Sequence, residues 1–198
     1  PYKRMASRIL SAYFKNKAEK LVLLGDIKDS IGYMSKGALL ELQEFMYMIK
    51  ETNFSIARGN HDAHIQEILK RIGYSAEIQR ELFMEDVVFL HGNSLPSKKA
   101  MESECIVEAH GHIAVEKGNV LEKVFVVSRI GKGTSAFYDS FNKRAKLVMI
   151  PPLNDLILGN PLSVSTKFHI PVFRNDIFEF ENAEVYLSKR LGKVKEFI

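Results

Sequence analysis

The chain has 198 residues, of which 46% are hydrophobic and 26% charged, close to the average of globular proteins. This composition excludes a disordered or fibrous chain, and no apolar run reaches the roughly 18 residues of a membrane span. The single cysteine, Cys105, excludes a disulfide framework and a cysteine-rich zinc module, and it favours a reducing, cytoplasmic setting. The net charge of +4 is compatible with an anionic ligand but is too small to indicate nucleic-acid binding by itself.

Helices and short strands alternate in the first half of the chain. Apolar residues recur at helical spacing over residues 4–20, 35–52 and 63–72. Short aliphatic runs predict strands over 21–24, 54–57, 87–90 and 105–109, and a more antiparallel set over 121–130, 145–150 and 184–189. This order predicts an α/β fold with a second sheet in the strand-rich half. Because no linker or repeat interrupts the pattern, we expect one domain over residues 1–198.

Four of the predicted strands end in residues of the kind that bind metal ions. These strand ends are Gly25-Asp26, Gly59-Asn60-His61-Asp62, His91-Gly92 and His110-Gly111-His112. In α/β sheets ligands bind beyond the carboxyl ends of the strands, so we expect the four segments to converge on one site. The glycines fit sharp turns that leave no room for a Cβ atom. In extended backbone, two histidines two residues apart would point to the same face.

Each motif alone has an ordinary structural explanation, such as a turn, a helix start or a histidine that is hydrogen-bonded in the core. Their joint occurrence, each at a strand end, favours a metal site instead. Carboxylate, carboxamide and imidazole groups together suit Mn²⁺, Zn²⁺, iron or nickel, and the absence of thiolates argues against a structural zinc site.

These four segments resemble four of the five signature blocks of the calcineurin-like metallophosphoesterases. Their order and spacing are similar to the ICC-like branch of archaeal and bacterial phosphoesterases, which includes DNA-ligase-associated members. Residues 148–159 and 184–187 resemble that branch too, so the resemblance covers nearly the whole chain. It implies two mixed β-sheets sandwiched between helices, with a centre of two divalent ions, Mn²⁺ above all, at the strand ends.

The resemblance also implies a role for each site residue. Asp26 would bridge both ions, and His61 would donate a proton to the leaving group without binding metal. Asp62 would orient a neighbouring residue. Independently of the resemblance, Arg58 precedes the Gly-Asn-His-Asp motif and is either a contact for the substrate phosphate or an ordinary surface arginine. The metal ligands implied in full are Asp26, Asn60, His91 and His110 for one ion, with Asp26 and His112 for the other.

One signature block of the family, Asp-x-His on an initial strand, is absent, and we expect it upstream of Pro1. Without it, the ion held by His112 would be bound poorly. The function expected from the resemblance is metal-dependent hydrolysis of phosphate esters, of a phosphodiester or nucleotide type, by a water that the two ions acidify. Nucleotides or nucleic acid would then be the partners. A phosphomonoesterase or phosphoprotein phosphatase, and a non-catalytic scaffold of the same fold, stay open as alternatives.

Overall fold

The computed structural model describes residues 2–28, 32, 34–187 and 190–197. It confirms the α/β class, with helices and several β-sheets in the described part of the chain. The chain divides into two compact units. The first comprises Pro1–Arg80 with Leu153–Leu156, and the second comprises Glu81–Pro152 with Ile157–Ile198. The single domain predicted from the sequence stays a prediction.

The first unit alternates helices with strands. Its elements are α1 (Tyr2–Lys15), β1 (Leu21–Leu23), α2 (Lys36–Ile49), β2 (Phe54–Ala57), α3 (Ile65–Arg71) and β3 (Glu77–Gln79). The three strands form a parallel sheet in the order β1-β2-β3, because each strand is joined to the next through a helix. Helix α2 begins after Ser35, whose side-chain oxygen accepts a hydrogen bond from the Ala38 N–H at 3.1 Å. The buried face of α2 packs on the sheet through Leu42, Met46 and Ile49.

The second unit is richer in strands. Its strands are β4 (Glu81–Met84), β5 (Val87–Leu90), β6 (Cys105–Glu108), β7 (Ile113–Lys117), β8 (Val120–Lys123), β9 (Phe125–Arg129), β10 (Lys146–Met149), β11 (Asn160–Pro161), β12 (Glu184–Tyr186) and β13 (Arg190–Lys193). Seven of them form one mixed sheet, β13-β12-β9-β10-β6-β5-β4, in which β5, β6 and β10 are parallel neighbours. The strands β11, β7 and β8 form a smaller sheet. Two short helices, α4 (Val164–His169) and α5 (Pro171–Arg174), complete the unit.

The structure differs from the sequence prediction where one long strand was expected over residues 121–130. The chain there contributes to two sheets, since β8 pairs with β7 whereas β9 pairs with β10 and β12. The change of sheet occurs at the buried Val124, whose N–H donates to the Ile113 carbonyl at 3.1 Å. Of the strand predicted over 184–189, the structure has Glu184–Tyr186, while Ser188 and Lys189 lie outside the described residues.

The longest helices of the described part of the chain are α1 and α2, with 14 residues each. None of the helices described is both long enough and apolar enough to cross a lipid bilayer. Helix α1 instead combines polar and apolar residues along its length, and Ala6 is fully buried.

Packing of α2 on the parallel sheet predicts a sharp contrast between two leucines of the same helix. Leu42 is fully buried, whereas Leu40 is 65% exposed. We expect Leu42→Ala to lower the free energy of unfolding by about 2–5 kcal/mol, because it leaves a cavity in the core. The control Leu40→Ala should change it by less than about 0.5 kcal/mol. Urea denaturation followed by circular dichroism measures both, and equal losses would contradict this packing.

Candidate metal centre

In the first unit, the turn after β1 places Asp26 in an unusual backbone conformation. Gly25 and Asp26 both have positive φ angles, +71° and +49°. Glycine adopts this region freely, and aspartate is among the few other residues that tolerate it. One carboxylate oxygen of Asp26, Oδ1, accepts a hydrogen bond from the His61 N–H at 2.9 Å. The Asp26 carboxylate therefore lies against the loop that follows β2.

Gly59 allows this close approach of the two loops. A Cβ atom at Gly59 would overlap both the carboxylate and the backbone nitrogen of Asp26. Any other residue at position 59 would push the two loops apart. The sequence predicted that a glycine here avoids a steric clash, and at Gly59 that clash would be with Asp26.

The Asp62 side chain joins the same two loops through hydrogen bonds. Its side chain is fully buried, and its Oδ1 accepts hydrogen bonds from the Ile27 N–H at 2.7 Å and the Lys28 N–H at 3.3 Å. Its Oδ2 accepts from the Gly59 N–H at 2.8 Å. Three N–H donors satisfy the hydrogen-bonding capacity that the buried carboxyl group would otherwise lose. Asp62 thereby fixes the backbone that carries Asp26.

The remaining predicted site residues of this unit are more exposed. Asn60 and Arg58 are exposed on the loop after β2, and His61 is half-buried. Lys28, which follows the Gly25-Asp26 motif, is only 3% exposed, and its Nζ donates to the Gly32 carbonyl at 3.2 Å. A lysine among loop residues gives no sequence signal of burial, so this feature required the structure.

In the second unit, His91 and His110 follow neighbouring parallel strands, β5 and β6. The His91 carbonyl accepts hydrogen bonds from the Ala109 N–H at 3.1 Å and the His110 N–H at 2.8 Å. These two bonds extend the pairing beyond the last strand residues and hold both histidines at the same edge of the sheet. Nε2 of the buried His91 lies 3.0 Å from Nδ1 of His110.

This separation suits two ligands of one metal ion. Imidazole nitrogens that bind a transition metal at about 2.1 Å, at right angles to each other, lie about 3 Å apart. Without an ion, the two nitrogens can share a hydrogen bond if one ring donates and the other accepts. The pair of rings therefore has both the chemistry and the spacing for a divalent ion.

His112 lies at the end of a tight turn. Its φ angle is +46°, its N–H donates to the Ala109 carbonyl at 3.3 Å, and its side chain is half-buried. Asn160 holds the turn from the neighbouring strand β11, because its N–H donates to the His112 carbonyl at 2.7 Å and its Nδ2 to the Gly111 carbonyl at 3.1 Å. These bonds fix the backbone after His110. The positive φ angle of His112 shows that this segment is a turn, not the extended backbone that was considered from the spacing of the two histidines.

Glu108 is a feature of this unit that the sequence did not reveal. The residue is fully buried at the end of β6, and neither carboxyl oxygen has a hydrogen-bond partner among the described residues. Burial raises the pKa of the Glu108 carboxyl to about 8. The one sequence feature that could have indicated this buried acid is that Glu108 ends the otherwise apolar strand sequence Cys-Ile-Val-Glu.

Comparison with known proteins found a similarity of fold to a solved structure. No protein-family model matches the chain, and no curated protein matches it. Among solved structures, the chain is similar to the nuclease MPE of Pseudomonas putida, with a TM-score of 0.61 and 13% sequence identity. The similarity covers 94% of this chain and 75% of that one. The two proteins share a fold. At this identity the similarity concerns the architecture alone.

The three hydrogen bonds of Asp62 predict that Asp62→Ala destabilises the metal-free protein. The change leaves the N–H groups of Ile27, Lys28 and Gly59 without their acceptor, which should cost on the order of 3 kcal/mol of unfolding free energy. Asp139→Ala is the matched control, since the Asp139 side chain is 94% exposed and its ion pair is with the exposed Lys98. Urea denaturation in EDTA measures both, and similar losses would argue against the role of Asp62.

Proposed function

We propose that the protein is a metal-dependent phosphoesterase that hydrolyses phosphodiester bonds, with nucleic acid as its substrate class. The observation that carries this proposal is the pair of imidazole nitrogens of His91 and His110, 3.0 Å apart at the ends of two parallel strands. A second support is the fold, which the chain shares with a protein named as a nuclease. A third is the resemblance of four strand-end motifs to the metallophosphoesterases.

The ligand set that we propose rests on the strand-end motifs and begins with Asp26, His91 and His110, one carboxylate and two imidazoles. This donor set suits Mn²⁺, Zn²⁺ or iron. The resemblance adds Asn60 to the same ion and assigns His112 to a second one, with Asp26 between them. Both of these assignments are part of the proposal and rest on the sequence motifs.

The second ion would need further ligands, which the family carries on an Asp-x-His strand. In the parallel sheet of the first unit, β1 has β2 as its partner among the described strands and lies at the edge. An additional strand beside β1 would end next to Asp26, at the same carboxyl edge of the sheet.

Bound divalent ions would neutralise the charge of the phosphodiester and acidify the attacking water. The residues of the chain would supply the rest of the chemistry. His61 is held next to Asp26 by its own N–H, and its half-buried ring is the candidate proton donor to the leaving alkoxide. Arg58, exposed on the same loop, is the candidate contact for a phosphate oxygen.

The test is turnover of the purified full-length protein on bis-p-nitrophenyl phosphate, p-nitrophenyl phosphate and an oligonucleotide, with Mn²⁺ and after removal of metal by EDTA. We expect Mn²⁺-dependent hydrolysis of the diester and of the oligonucleotide, and slower hydrolysis of the monoester. His91→Ala should lower kcat/KM at least a hundredfold because it removes a metal ligand.

The matched control is His169→Ala, because His169 is exposed on α4, and it should leave kcat/KM unchanged. Preference for the monoester would favour a phosphomonoesterase or phosphoprotein phosphatase. Full activity of His91→Ala, or no turnover of any phosphate ester by the wild type with Mn²⁺, would contradict the proposal.

A further inference from the structure

We propose that Glu108 is a positioning residue of the metal centre, and that its buried carboxyl strengthens the binding of a divalent ion at the His91–His110 pair. This inference rests on the proposed function, since it assumes that the pair binds metal. It assigns a role to an acidic residue that lies outside the ligand set proposed above.

The first step concerns the place of Glu108 in the sheet. It is the last residue of β6 and lies two residues before His110. It shares a face of the strand with Ile106, and its partner on the parallel strand β10 is Met149. Both neighbours are buried in the hydrophobic core of the second unit. The carboxyl therefore projects into an apolar layer directly below the edge of the sheet that carries the two histidines.

The second step concerns its contact with the segment of His91. Gly92 has a φ angle of +104°, and a Cβ atom there would lie 3.0 Å from Oε2 of Glu108 and 3.2 Å from its Cβ. The Glu108 side chain thus packs against the residue that follows His91, while its own strand leads into His110. Its side chain therefore packs against the residue after His91, and its backbone lies two residues before His110.

The third step concerns the free energy lost by burying this carboxyl group without a hydrogen bond. None of the described residues forms a hydrogen bond to either oxygen, although both are buried. Methionine or leucine would fill the same space without burying an unpaired polar group. A divalent cation at the histidine pair would offset this cost, since opposite charges attract strongly where water is excluded. The orphaned carboxyl is therefore explained if the working protein holds a cation there.

The test compares Glu108→Gln and Glu108→Met with the wild type. The glutamine variant keeps the size and shape of the side chain and removes its capacity for charge, while the methionine variant also removes its polarity. The control is Glu122→Gln, because Glu122 lies on β8 in the smaller sheet of the same unit, and its Oε2 is also buried without a hydrogen bond to any residue that the structure describes. Its Oε1 lies 3.6 Å from Lys117 Nζ.

Two measurements are made on the chain after EDTA treatment and dialysis. Calorimetric titration gives the affinity for Mn²⁺, and circular dichroism gives the Tm of the metal-free protein. We expect both Glu108 variants to bind Mn²⁺ at least tenfold more weakly than the wild type. We expect the metal-free Tm of Glu108→Met to equal or exceed that of the wild type, so that weaker binding does not reflect a damaged fold.

A loss of less than tenfold in Glu108→Gln, or an equal loss in the control Glu122→Gln, would overturn this inference while leaving the proposed function intact. If the wild type itself bound no Mn²⁺, the proposed function and the inference would both fail. Should Glu108→Met not fold, Glu108→Gln carries the comparison, because it preserves the packing against Gly92.

Discussion

Parallel strand pairing determines where the candidate ligands lie. In the first unit β1 pairs with β2, and in the second β5 pairs with β6, each in parallel register. Parallel partners end at the same edge of a sheet, so the residues that follow them are brought together although they are far apart in sequence. This constraint puts Asp26 against His61 in one unit and His91 against His110 in the other. In each unit, neighbouring hydrogen bonds hold these turns in place.

Two buried acids show different ways of placing a carboxyl group in a protein interior. Asp62 accepts three backbone N–H groups and joins two loops, which makes its burial favourable and its role structural. Glu108 has no partner among the described residues, and burial raises the pKa of its carboxyl to about 8. The proposed cation at His91 and His110 would compensate the unsatisfied carboxyl of Glu108.

Much of the fold could be predicted from the sequence because short aliphatic runs with polar ends are local signals. The strands Phe54–Ala57 and Val87–Leu90 occur where the pattern predicts them. The division of residues 120–129 between two sheets could not be predicted, since it depends on pairing with distant strands rather than on the segment itself. The strands Glu77–Gln79 and Glu81–Met84 were missed because their charged residues weaken the apolar pattern.

Some of the candidate site residues could likewise be predicted from the sequence, and others could not. The motif residues Asp26, His91 and His110 were visible in the sequence because they follow strands directly, and their role as metal ligands stays a prediction. The buried states of Lys28 and Glu108 were not visible, since burial of a charged residue depends on what packs around it. The position of a polar residue near a strand end can therefore be predicted from the sequence, whereas its burial cannot.

The most direct test of the central claim is a crystal structure of the chain soaked in Mn²⁺, with anomalous diffraction recorded near the manganese edge. The account predicts an anomalous peak at bonding distance from both Nε2 of His91 and Nδ1 of His110, with the hydrogen bond between the two rings lost. A structure at saturating Mn²⁺ in which the two rings remain hydrogen-bonded and no peak lies beside them would contradict it.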